Sequence, residues 1–188
     1  MLRRMKWLPI TMTMLMLIPA AAVAAEQPAP GSKAQKLLER LKQAEDPALA
    51  EKLREQVQQA WIAEGPMSAQ VLLKEATSAQ ASGLVETAER LLRLAVRRWP
   101  DYAEARFRLA FLLWQTGRET EALRVLDALL QRKPEHFPAL SLKVRLLLEQ
   151  QKLREALKSC QILQRQLPRW RQWQRRCQRL QWRVGQDA

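Results

Sequence analysis

Few residues in this chain could do chemistry, and none converge. The sole histidine, His136, sits in a turn, where an imidazole is expected to face solvent, with no Cys/His cluster near it in sequence. A Gly-rich phosphate loop and a serine nucleophile elbow are both absent. The carboxylates are spread along what read as helix faces, as solvating groups are. Cys160 and Cys177 are the only cysteines, and their spacing excludes CxxC redox chemistry. One stretch is chemically loaded: Arg169 to Arg183 holds six arginines and three tryptophans with no acid. Interleaved Arg and Trp suit phosphates, stacked bases or anionic headgroups. The chain is therefore expected to be non-catalytic, with no cofactor implied.

Charge is distributed unevenly. From Glu26 to Gln131 there are 15 basic and 15 acidic residues, whereas Arg132 to Ala188 carries 14 basic and 4 acidic. An anionic partner or surface is expected at the C-terminal end. The N-terminus has the grammar of an export signal over residues 1–25. Basic residues (Arg3, Arg4, Lys6) precede an apolar run from Trp7 to Ile18, then Pro19 and the small-residue stretch Ala20 to Ala25. Cleavage after Ala24 or Ala25 fits the small-x-small rule, and predicts a periplasmic or secreted protein. An uncleaved anchor is the alternative, but the apolar run is short for a bilayer span. Export in turn argues against nucleic acid as the partner.

The organisation that must position these residues is a period of 34. Pro100, Pro134 and Pro168 repeat at that interval, as do Ala88, Ala122 and Ala156, and Gly83, Gly117 and Gln151. Such a period is that of stacked helical hairpins, none able to bury its apolar face alone. Proline ends each second helix, because it lacks an N–H and disfavours helix in the residue before it. Alanine permits close approach of paired helices. Residues 26–32 read as a linker and 33–65 as a degenerate leading hairpin, broken at Asp46-Pro47, that caps the array. Within 66–170 lie three units, 69–102, 103–136 and 137–170, and a basic capping helix covers 171–184 with Cys177, Leu180 and Val184 inward. In this register Cys160 lies midway along the last second helix and Cys177 on the helix packing against it. In an oxidising compartment a disulfide fits there, and two buried thiols are the other possibility.

The units resemble the tetratricopeptide repeat. Unit one supplies Leu72, Ala76, Gly83, Ala88, Leu92, Ala95 and Pro100, and unit two Leu109, Ala110, Gly117, Ala122, Leu126, Leu129 and Pro134. Unit three supplies Leu140, Val144, Ala156, Cys160, Leu163 and Pro168, with Lys143 and Gln151 departing from the pattern. The whole is similar to small exported proteins of that family from Gram-negative bacteria. The resemblance implies an all-α, right-handed solenoid whose first helices line a concave groove. At the inward positions it puts Phe107, Arg108, Phe111 and Trp114 in unit two, Arg145 in unit three, and Arg175, Arg179 and Trp182 on the terminal helix. That pattern suits a protein or peptide partner with acidic residues. Phe107 and Phe111 could equally pack between helices, as Trp61 and Trp99 are expected to do. The alternative function is a peripheral binder of anionic membrane or envelope polymer, acting through the Arg/Trp-rich terminal helix.

Overall fold

The computed structural model describes residues 31–186, so the expected export signal and most of the expected linker lie outside the described residues. Within them the chain forms nine helices and no strand. These are α1 (Lys33–Gln43), α2 (Pro47–Ala63), α3 (Met67–Ala81), α4 (Val85–Arg98), α5 (Ala103–Gln115), α6 (Glu119–Arg132), α7 (Phe137–Glu149), α8 (Leu153–Gln166) and α9 (Arg171–Gln186). Three hairpins, α3–α4, α5–α6 and α7–α8, stack in sequence into an α-solenoid, and α9 closes its C-terminal end against α8.

One local code repeats in every hairpin. The turns fall at Gly83, Gly117 and Gln151, with φ of 76°, 76° and 58°. In each, the next amide reaches back five residues: Leu84 N–H donates to Ala79 O, Arg118 to Leu113 and Lys152 to Leu147, all at 2.8 Å. This closure needs a left-handed residue, which glycine adopts without strain. Gln151 is the only non-glycine with positive φ among the described residues. Gln151→Gly is therefore expected to stabilise the fold by about 0.5–1 kcal/mol, read as a higher urea midpoint at unchanged m-value. The second helices stop with equal regularity. Trp99, Lys133 and Leu167, each preceding a proline, have φ of −131°, −134° and −130°. A following proline disfavours helix in the residue before it, and each of the three has left the helical region.

The core is a continuous spine along the stack. Ala88, Ala122 and Ala156 are fully buried, as are Ala110 and Val144 on the first helices. Leu113, Leu126, Leu129, Leu146 and Leu163 fill the space between layers with no exposure above 0%.

The leading hairpin departs from the sequence expectation. It does form: Ser32 caps α1, and Asp46 caps α2, accepting from the Ala48 and Leu49 amides, with Pro47 in the first turn. But it is not a repeat stacked on α3. Instead α2 packs on α5 and runs along the turns that join successive repeats. Three residues in those turns, Tyr102, His136 and Trp170, are themselves 34 apart and form its landing strip. Tyr102 Oη donates to Ile62 O at 2.8 Å, Trp61 stacks on His136 at 4.6 Å, and the Arg54 guanidinium lies 4.9 Å over Trp170. The physical reason lies in the residues at the repeat's small positions. Lys42 and Arg54 stand there, too large for the close approach of a repeat hairpin. The turn at Asp46 is also out of register, because the period would put it at Leu49, which lies inside α2. One consequence is that the N-terminal end of the solenoid is left uncovered, with Met67 and Val71 of α3 exposed.

Candidate functional site

Between α2 and the first helices α5, α7 and α9 runs a groove of about 580 Å³. Its floor is aromatic. Phe107, Phe111 and Trp114 come from successive turns of α5, Trp170 from the turn before α9, and Trp173 from its first turn. Ser141 and Arg145 of α7 lie between them, and Arg176 closes the far side. The opposite wall is α2, which contributes Glu51, Arg54, Glu55 and Gln58. The period of each helix explains the alignment: 107, 111 and 114 recur every three or four residues, as do 138, 141 and 145, so each set shares one face.

The side chains in the groove are partly tied to each other. Phe111 meets Trp114 edge-on at 5.4 Å, and Phe107 lies 6.3 Å from Phe111. The Arg145 guanidinium sits 4.2 Å over the Trp114 ring, and both residues bind Glu149, Arg145 Nε at 3.1 Å and Trp114 Nε1 at 3.0 Å. Glu149 thus offsets the charge of Arg145 and fixes the indole plane. Arg176 stacks 5.2 Å over Trp173 and has no carboxylate partner among the described residues. Phe111 remains 37% exposed, more than packing alone would leave it.

Of the positions taken from sequence, Phe107, Phe111, Trp114 and Arg145 come together here. Arg108 does not join them. It lines a neighbouring depression with Leu73 and Thr77, where it bonds Glu104 at 2.9 Å and Thr77 Oγ1 at 3.0 Å. Arg175, Arg179 and Trp182 are the clear correction, for none lines the groove. At 100° per residue they lie opposite Trp173, Cys177 and Leu180, the buried face of α9. Trp170, Trp173 and Arg176 take the places expected of them. The signal was present in the sequence, since an inward Cys177 and Leu180 already phase the helix this way. The α2 wall had no such signal.

Cys160 and Cys177 are joined as a disulfide, with Cα atoms 5.7 Å apart, so α9 is tied to α8 at its buried face. His136 overturns its expectation of a surface residue. Its side chain is 0% exposed, and Nδ1 accepts the Ala139 amide at 3.2 Å as the N-cap of α7. It lies between Trp61 and Phe107, at 4.6 and 5.2 Å. Burial holds its pKa below the usual imidazole value, with the nearby Glu104 carboxylate acting in the opposite direction. Nε2 is 3.8 Å from Glu104 Oε2, too far for a hydrogen bond. Glu104 is itself buried and engaged by Arg108. His136 thus holds elements together and faces no groove.

A stack of such hairpins with a groove along its first helices defines an α-solenoid scaffold. The family model described as tetratricopeptide repeat matches residues 73–137 and 112–169, over half of the chain. The chain belongs to the tetratricopeptide repeat family, whose arrays are protein-interaction scaffolds. Protein O-mannosyl-transferase TMTC3 of Homo sapiens is 37% identical over 73 residues, 39% of this chain, and the chain spans only 8% of that protein's length. Among solved structures, the MamA RS-1 ArsTM double mutant superposes with a TM-score of 0.51 at 23% identity, covering 55% of this chain and 58% of its own. Another MamA mutant gives 0.47 at 17% identity over 71% of this chain and 96% of its own. The first of these shares the fold.

Proposed function

We propose that this chain is an exported, non-catalytic scaffold that seats a segment of a partner protein in the groove between α2 and helices α5, α7 and α9. The observation that carries this reading is the aromatic floor, with Phe111 exposed and Trp114 held upright by Arg145 and Glu149. Large aromatic side chains that are rigid before binding lose little entropy when a partner covers them, so they dominate interface energetics. The volume, about 580 Å³, takes two or three side chains of an extended or helical segment. Arg176 supplies an uncompensated charge for an acidic residue of that segment, while Glu51 and Glu55 on the α2 wall select its orientation. The leader grammar of residues 1–25 supports a periplasmic or secreted site of action.

A photocrosslinking side chain at position 111, in cells producing the protein at native level, is expected to trap a discrete partner. The same group at the exposed Arg124 of α6 traps none. Trp114→Ala in the same background weakens capture tenfold or more, about 1.4 kcal/mol or above. This protein's own chain in the adduct is expected to begin at Ala25 or Glu26. Equal adducts at 111 and 124 sink the groove reading, and a retained Met1 sinks cleavage of the leader.

A further inference from the structure

The outward face of α9 is unlike any other surface among the described residues. Arg171, Arg175, Arg179 and Arg183 follow one another at i+4, and all four are exposed. Trp182 stands beside Arg175 and Arg179 on that face, 66% exposed. The segment from Lys152 to Gln186, which holds α8 and α9, carries ten basic residues and one carboxylate, Glu155. Among the described residues only Arg169 of the ten reaches a carboxylate, Glu45 at 3.1 Å. Solvation alone does not call for this. A capping helix is solvated as well by mixed charges, and like charges at i+4 destabilise a helix. The opposite face is fixed by the disulfide of Cys177 and the burial of Trp173 and Leu180, so the arginines are presented on a rigid support.

We propose that this face docks the protein onto an anionic phospholipid surface. Successive arginines are about 6 Å apart along a convex helix, which offers no cleft for a peptide but meets a flat array of phosphates along its length. Guanidinium groups pair with phosphate oxygens, and an indole with a wet edge and an apolar body settles at headgroup depth. The helix lies along the interface without entering it, because its apolar side is already spent on α8. No helix of the described residues is long and apolar enough to cross a membrane. The docking face points away from the groove, so one protein could hold both partner and membrane.

The test is sedimentation of the full chain, disulfide intact, with phosphatidylglycerol-rich vesicles and with pure phosphatidylcholine vesicles. The expected result is salt-sensitive binding to the first alone. R175Q/R179Q is expected to weaken it about 30-fold, from about fivefold per arginine at an anionic surface. Trp182→Ala weakens it further. R97Q/R124Q, which removes the same charge from exposed positions on α4 and α6, leaves binding within about twofold of the parent. The proposal is overturned if anionic vesicles are not bound, or if both double variants bind alike. It also falls if soluble polyphosphate binds as tightly as the vesicles and depends on the same arginines, since the ligand is then a polyanion in solution. None of these outcomes bears on crosslinking at position 111, so the two readings fail separately.

Discussion

Trp61→Ala is expected to release the α1–α2 hairpin from the repeats at a cost of about 3–5 kcal/mol. Trp61 is 3% exposed and is the hairpin's central anchor. One face stacks on His136 at 4.6 Å, its edge meets Phe137 at 5.2 Å, and the Lys133 ammonium lies 5.1 Å from its ring. The other polar and cation–π attachments are the hydrogen bond from Tyr102 to Ile62 O, the Arg54 guanidinium over Trp170, the pairing of Lys133 with Glu64, and Arg169 with Gln43 O and Glu45. Each is worth about 1 kcal/mol or less. Trp61 joins the common core at its edge, whereas α3–α8 also pack on one another within and between their own hairpins, and in a solenoid stability is a sum of local interfaces. The loss is therefore local. Hydrogen exchange should speed up by about 100-fold or more over residues 33–63, while α5 to α8 keep their protection. Unchanged exchange there, or cooperative unfolding of the whole chain, would refute the picture of a hairpin laid across a self-sufficient array. The groove should also lose the wall carrying Glu51 and Glu55, making partner capture at position 111 a second readout.

Reduction of the Cys160–Cys177 disulfide is expected to cost about 3 kcal/mol, the chain-entropy value for a loop of this size. Its effect concentrates on α9. Apart from Cys177, that helix buries only Trp173 and Leu180 among the described residues, too little apolar surface to hold sixteen residues firmly. The measurement is urea unfolding with and without dithiothreitol, beside C160A/C177A, which avoids burying a new polar group. The reduced protein and the variant should share a lowered midpoint, and both should lose protection over residues 171–186 before the repeats. Two free thiols in the protein denatured without reductant would remove the premise. Because Trp173 and Arg176 ride on α9, reduction is expected to weaken the groove as well as the docking face.

The array itself was legible from the primary structure because its code is local. A proline that cannot donate, a glycine that turns left-handed, and an alanine small enough for helix contact each act within a few residues of their own position. Repeated at 34, they specify three hairpins wherever the rest of the chain goes. The α5 and α7 side of the groove followed from the family resemblance, which put Phe107, Phe111, Trp114 and Arg145 inward on the first helices.

Two things were decided by packing across long distances in sequence. The hairpin of α1 and α2 lies along the inter-repeat turns because Lys42 and Arg54 block its stacking and the rings of Tyr102, His136 and Trp170 offer an apolar track. His136 is buried because a tryptophan 75 residues upstream covers it, a contact no turn propensity encodes. The phase of α9, by contrast, was readable from an inward Cys177 and Leu180, and it turns Trp173 and Arg176 inward while Arg175, Arg179 and Trp182 face out. A period tells a chain how each unit folds. Which surfaces the non-repeating ends then cover depends on where matching shapes meet in space.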